Sequence, residues 1–248
     1  YQFGEARLEK FAFMAHGHNA TWTVYKYHSG DGPLALEIAP LLNHRDCHDQ
    51  TTAGDWQARF IPVEDGTAVS LFSGTHPVWL IHKGGAFTPD PVWVRGVRHR
   101  IETGRGLPDT EDVFRIGAIN ATLQPGGTFA VMASAETPTA AARAWQDSLN
   151  EVLQRQAALI EIATLGPDAP EWVKQLTLAA DQFIVVRTDS KRPPETEWRA
   201  GRETDRTVIA GYHWFSDWGR DTMIALPGLT LSAGRPAEAA SMLRTFAR

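Results

Sequence analysis

The sequence predicts a multidomain chain of the β-then-α class, an antiparallel β-sandwich followed by packed helices. Three observations carry this reading. As far as about residue 135, short runs rich in aromatic and β-branched residues recur at regular spacing between polar turns. Near Thr137-Pro138 the period changes, and from Thr139 to Ala163 there is neither Pro nor Gly. Finally, the polar, aromatic segment Gly211-Tyr-His-Trp-Phe-Ser-Asp-Trp-Gly-Arg-Asp221 runs directly into the apolar Met223-Ile-Ala-Leu-Pro-Gly-Leu-Thr-Leu231.

The expected strands are Leu8–Met14, Thr21–Tyr27, Leu34–Ala39, Gln57–Val63, Thr67–Phe72, Pro77–His82, Val92–Ile101, Phe114–Leu123 and Thr128–Ala133. Ser29-Gly-Asp-Gly, Glu64-Asp-Gly and Gln124-Pro-Gly-Gly supply turns, and short strands joined this way favour two packed antiparallel sheets. A long helix follows: Ala144/Trp145, Leu149, Val152/Leu153 and Leu159/Ile160 form one apolar stripe, ended by Gly166-Pro167. A second helix is expected over Pro170–Phe183, then a polar loop over 188–204. The cluster, an apolar helix and an amphipathic helix from Pro236 complete the order, with Pro suited to a first helical position. The expected divisions are a sandwich over 1–136, a linker helix over 137–168 and a helical domain over 169–248.

Composition narrows the function. Of the 248 residues 43% are apolar and 21% charged, as in ordinary globular proteins. The net charge of −5 and the lack of any Lys/Arg run argue against a nucleic-acid partner. Cys47 is the only cysteine, so no intramolecular disulfide can form. No apolar run reaches the roughly 18 to 20 residues that span a bilayer, so no membrane partner is expected. The chain begins with Tyr1 and stops inside an amphipathic pattern at Arg248, which reads as an internal piece of a longer protein.

The 211–221 segment gathers Tyr212, His213, Trp214 and Trp218 with Asp217, Asp221 and Arg220. Sugars need such a surface: rings for their C–H faces, charged groups for their hydroxyls, and an acid for the bond to be cut. The competing reading makes Asp217 a helix cap, pairs Arg220 with a carboxylate and leaves both Trp in a core.

Ala210–Leu229 resembles the glycogen debranching enzyme family, specifically its amylo-α-1,6-glucosidase part. Upstream, Asn43-His-Arg-Asp-Cys-His48 looks like that family's Arg-Asp-Tyr-His segment, with Cys47 in place of Tyr. Glu102-Thr-Gly-Arg-Gly-Leu-Pro-Asp-Thr-Glu-Asp112 is similar to its Glu-x-x-Arg-Gly-Leu-Asp-x-x-Glu-Asp stretch. The resemblance implies a β-sandwich before the first helices of an incomplete (α/α)6 barrel. It implies hydrolysis of α-1,6-linked glucose in glycogen, branched α-glucan or limit dextrin, in the cytoplasm and without a cofactor. It makes Asp221 the catalytic general acid and Tyr212, His213, Trp214, Asp217, Trp218 and Arg220 substrate-binding residues. The base is then a carboxylate beyond Arg248, and the chain carries only the acid half. Two other classes stay open: a non-hydrolytic carbohydrate-binding or assembly module, and a related six-hairpin glucosidase acting on another glucoside.

A general acid must keep its proton near neutral pH. Arg220 and a following helix N-terminus favour the charged carboxylate, whereas the indoles of Trp214 and Trp218 and repulsion from Asp217 oppose it. Were the segment helical, Asp217 and Asp221 would share one face four residues apart.

Weaker signals lie upstream. Arg45, Asp46 and His48 either reach the sugar from the sandwich side or form a buried ion-paired corner, the reading the sequence favours. His16, His18, His44 and His48 invite a metal, but no ligand set is apparent and none is expected. Arg105, Asp109, Glu111 and Asp112 read as a turn with salt bridges to a neighbouring domain.

Overall fold

A computed structural model describes residues 1–138, 144–166, 168–187, 205–209, 211 and 215–247. It resolves into two compact units, Tyr1–Val152 and Leu153–Arg248, each described by itself.

The first unit is antiparallel β-structure. Its strands are β1 (Gln2–Phe3), β2 (Ala6–Met14), β3 (Ala20–Ser29), β4 (Leu34–Ile38), β5 (Leu41–Leu42), β6 (Arg59–Val63), β7 (Gly66–Ser70), β8 (Val78–Ile81), β9 (Ala86–Arg98), β10 (Thr110–Leu123) and β11 (Thr128–Ser134). One sheet has the order β1-β2-β3-β11-β8-β7-β6; the other has β4-β10-β5, with β9 also paired to β10. The period of two shows in β3. Its even positions Ala20 and Trp22 join one cluster with Ile81 and Met132. Its odd positions Tyr25 and Tyr27 join a larger cluster with Val69, Leu80 and Phe129. That larger cluster also takes Phe114, Ile116, Ile119 and Leu123 from β10, so the two sheets bury their apolar faces together. Trp145 packs beside the smaller cluster, its ring edge-on to Phe11 at 6.2 Å.

Register along β9 and β10 shifts between Glu111 and Val113 and again between Arg115 and Gly117. At the second shift Gly117 has φ +149, and a Cβ there would stand 2.3 Å from the Thr88 carbonyl oxygen. Only glycine fits that approach. The strand expected over Val92–Ile101 ends at Arg98, and helix α1 (Arg100–Arg105) follows where a turn is expected. Gly106 closes it in the left-handed region, its N–H donating to the carbonyls of Glu102 and Thr103.

The second unit holds α3 (Glu171–Gln182), α4 (Gly219–Leu229) and α5 (Pro236–Phe246); α2 (Trp145–Ile162) runs across the division. The long helix expected from Thr139 is described only from Trp145, because 139–143 lie outside the described residues. Pro170 precedes α3, and Pro236 takes the first turn of α5. A two-stranded sheet was not foreseen: β12 (Ile184–Val186) pairs antiparallel with β13 (Arg206–Val208). Ile184 and Val208 carry that sheet into a core with Leu226, Ala239 and Met242. Burying an apolar side chain of this size contributes about 1.5–3 kcal/mol, which explains why so short a sheet persists. A partly buried ion network supports the helices. Asp181 on α3 meets Arg155 Nη2 at 2.7 Å and Arg235 Nη1 at 2.6 Å, and Arg235 also reaches Glu238. No helix among the described residues is long and apolar enough to cross a membrane.

Candidate functional site

The polar cluster sits at the start of α4. Trp218 is the N-cap, with extended backbone (φ −124, ψ 128) and no side-chain cap bond. Asp221 is therefore the third residue of the helix, in the first turn, where the helix dipole favours a negative charge. Its side chain is 34% exposed, and Arg220 Nη2 lies 3.6 Å from Oδ1. Thr222 and Leu226 point into the core while Ile224 is exposed, so burial of one helix face fixes which way Asp221 faces.

Asp217 is placed differently. Because α4 begins at Gly219, Asp217 precedes the helix and does not share a helical face with Asp221, which corrects the four-apart geometry. Nor does it cap the helix, since no side-chain cap bond is made there. Its carboxylate accepts a 3.0 Å hydrogen bond from Thr207 Oγ1, and Arg187 Nε lies 3.5 Å away. Thr207 belongs to β13 and is buried, so the short sheet holds Asp217 by a rigid donor. Arg187 is further steered by the Phe246 ring, 5.6 Å from its guanidinium carbon. The Asp217 side chain is only 18% exposed. Two carboxylates four residues apart thus have distinct settings: one clamped by a hydroxyl and a guanidinium, one open at a helix start.

Trp218 is exposed, as is Phe215. An exposed indole beside an open carboxylate is available to a sugar face in a way a core Trp is not. Tyr212, His213 and Trp214 lie outside the described residues. Thr207 and Arg187 escaped the sequence reading; the β-branched triplet Thr207-Val-Ile was the one local hint.

A second polar constellation lies in the first unit. Glu111, at the start of β10, is buried and accepts hydrogen bonds from Arg45 Nε at 2.8 Å, Arg45 Nη2 at 3.0 Å, Asn43 Nδ2 at 3.0 Å and the Thr51 N–H at 3.2 Å. His99 Nε2 adds a contact at 2.8 Å. Burial pushes this carboxyl up, but the bonds from Arg45, Thr51 and His99, with the Arg45 charge, outweigh it and bring it down to about 2. Arg45 is in turn raised by its bond to Glu111. Next to Glu111, Asp112 takes the N–H groups of Ala53 and Gly96 at 2.8 and 2.9 Å, and these bonds lower its carboxyl. One pair of acidic residues thereby ties loop 43–53 to β10 through backbone and side chain together.

Arg45 therefore belongs to an ion-paired corner, while Asp46 and His48 stand outside it with side chains 64% and 60% exposed. The ion pairs of Arg105 with Glu102 and of Asp109 with Arg98 are also internal to this unit. Among the histidines, His18 contacts Glu136 at 3.3 Å and His44 packs edge-on to Phe72 at 5.5 Å, so they are drawn to separate places.

Comparison with known families gives two matches. The family model described as "Glycogen debranching enzyme N terminal" matches residues 1–130, and that described as "Amylo-alpha-1,6-glucosidase" matches residues 178–248. No curated protein and no solved structure matches the chain.

Proposed function

As the chain belongs to the glycogen debranching enzyme family, we propose that it forms part of a glycoside hydrolase that removes α-1,6-linked glucose at the branch points of glycogen and related α-glucans. Asp221 is the general acid. It protonates the glycosidic oxygen, and a second carboxylate outside this chain activates water on the opposite face of the sugar. These 248 residues then carry the acid half of the site and are inactive by themselves. The first unit is the sandwich domain of the enzyme, and the helices from α3 onward begin its (α/α)6 barrel. The hydrolysis calls for no cofactor, because acid and base are both side chains, and the enzyme acts in the cytoplasm.

The observation that carries the assignment of roles is the contrast between the two carboxylates. A proton donor must approach a glycosidic oxygen, and the half-open Asp221 side chain is free to do so. Asp217, already engaged by Thr207 and Arg187, is a fixed acceptor suited to gripping sugar hydroxyls. Trp218 offers a ring for a sugar face, and Arg220 orients the acid from 3.6 Å. Tyr212, His213 and Trp214 complete the binding surface.

The test uses the intact gene product and glucose release from phosphorylase limit dextrin. Asp221→Asn is expected to lower kcat about 10²- to 10⁴-fold, the usual contribution of general acid catalysis. The same variant keeps most of its activity on α-glucosyl fluoride, whose leaving group needs no proton. Asp217→Asn raises KM more than it lowers kcat. If Asp221→Asn turned over normally while Asp217→Asn was dead, the roles would be reversed.

A further inference from the structure

Loop 43–51 presents a group of side chains that the proposed hydrolysis does not use. Asp46, Cys47 and His48 are consecutive, and one ligand atom from each lies within 4.8 Å of the others. Cys47 Sγ is 3.4 Å from His48 Nδ1, and that nitrogen is 2.9 Å from Asp46 Oδ1. We propose that these three residues form a binding site for a zinc-type divalent cation, held by a carboxylate oxygen, a thiolate and an imidazole nitrogen.

Two of the three ligand–ligand distances can be set against that coordination. With bond lengths of about 2.3 Å to sulfur and about 2.0–2.2 Å to nitrogen and oxygen, a tetrahedral ion sets its S and N ligands about 3.6 Å apart and its N and O ligands about 3.4 Å apart. The sulfur–nitrogen pair is already within about 0.2 Å of that spacing. The nitrogen–oxygen pair must open by about 0.5 Å, which follows once the hydrogen bond between them is replaced by the ion. The proton balance is simple. The thiol proton leaves to solvent, the imidazole proton moves from Nδ1 to Nε2, and the carboxylate binds as it stands.

Two further features favour the site. Its backbone is held before any ion arrives. Arg45, fixed by two bonds to the buried Glu111, donates from Nη1 to the Asp46 carbonyl at 3.1 Å and to the Cys47 carbonyl at 3.5 Å. Ordering the loop therefore adds little to the cost of binding. The ligand set is also chemically selective: a thiolate with an imidazole prefers zinc to magnesium or calcium, and three protein ligands leave a fourth position for water. Charge agrees, since Asp46 and the thiolate are both anionic and the nearby Arg45 charge is already matched by Glu111.

Cys47 is the only cysteine of these 248 residues, so thiol chemistry on this chain reads this site alone. The experiment measures iodoacetamide alkylation of the metal-free protein with and without one equivalent of Zn²⁺, and the absorption spectrum after adding Co²⁺. One equivalent of zinc is expected to slow alkylation at least about tenfold, and cobalt to give a thiolate charge-transfer band. His48→Ala and Asp46→Asn should each weaken the protection about tenfold or more. The Asn variant keeps the side-chain oxygen that accepts the His48 N–H, so its loop stays folded. His18→Ala should change nothing. Absence of protection at one equivalent overturns the proposal. So does protection that survives unchanged in both ligand variants, which would mean zinc sits on the thiol alone.

Discussion

Replacing Glu111 by Gln tests how the first unit holds loop 43–53. Gln keeps one acceptor oxygen, but its NH₂ group replaces the other and faces donors either way: Arg45 Nε, Asn43 and Thr51 at the Oε2 position, or Arg45 Nη2 at the Oε1 position. Moving a carboxyl from its ordinary 4.5 to about 2 corresponds to about 3 kcal/mol of stability, at about 1.4 kcal/mol per pH unit. The side chains of Arg45 and His99 are 29% and 41% exposed, and the resulting solvent screening trims this to about 2 kcal/mol. The sign follows from the lowered value: the stabilisation is complete above pH 4.5 and is lost as pH falls from 4.5 toward 2. Urea unfolding followed by tryptophan fluorescence should therefore place Glu111→Gln about 2 kcal/mol below the parent at pH 7. The gap should close as pH approaches 2, because the protonated parent then resembles its variant. A gap that stays constant from pH 7 to pH 2.5, or no gap at pH 7, would refute the account.

Two substitutions probe the second unit. Gly234 has φ +70, and a Cβ built there stands 2.2 Å from the Ile162 carbonyl oxygen, so Gly234→Ala must both enter the left-handed region and displace backbone. A loss of at least about 2 kcal/mol is expected, and a thermal melt equal to the parent's would contradict it. Asp181→Ala removes the shared partner of Arg155 and Arg235 and leaves the buried Arg235 with Glu238 alone. Because Glu238 remains, the cost should fall to about 2–3 kcal/mol, below the figure for an orphaned buried charge, and a denaturant midpoint unmoved by the change would show that Glu238 suffices.

Elements with a strong period of their own were legible in the sequence. The nine expected strands correspond to β2–β4 and β6–β11, because each alternates or is flanked by turn residues over four residues or more. The two-residue strands β1 and β5 and the three-residue strands β12 and β13 are too short for a period to show, and they owe their existence to pairing partners. Helix α1 failed for a related reason: six residues with no buried side chain leave no apolar stripe to read. In the site, the residue types could be read but their partners could not. Asp217 and Thr207 are ten residues apart, and Arg45 and Glu111 are sixty-six apart. Nothing local announces such pairs. The spacing of Asp217 and Asp221 misled because an interval of four places residues on one face only when both lie inside a helix.

The partners that escaped the sequence share a physical logic. In each unit one buried polar group fixes a segment that stays open to solvent. Glu111 is buried so that Arg45 can hold the carbonyls of Asp46 and Cys47, whose side chains face water. Thr207 is buried so that Asp217 keeps one orientation beside the exposed Trp218. Burying a charge or a hydroxyl costs free energy unless its bonds are made, so such groups are costly in a core with nothing to position. Exposed reactive groups, conversely, lose definition unless something rigid anchors them, since each freely rotating side chain must be ordered when ligand binds. These two buried anchors therefore each lead to an exposed surface for which a role is proposed above. They single out the first turn of α4 and loop 43–51, on grounds independent of the family match.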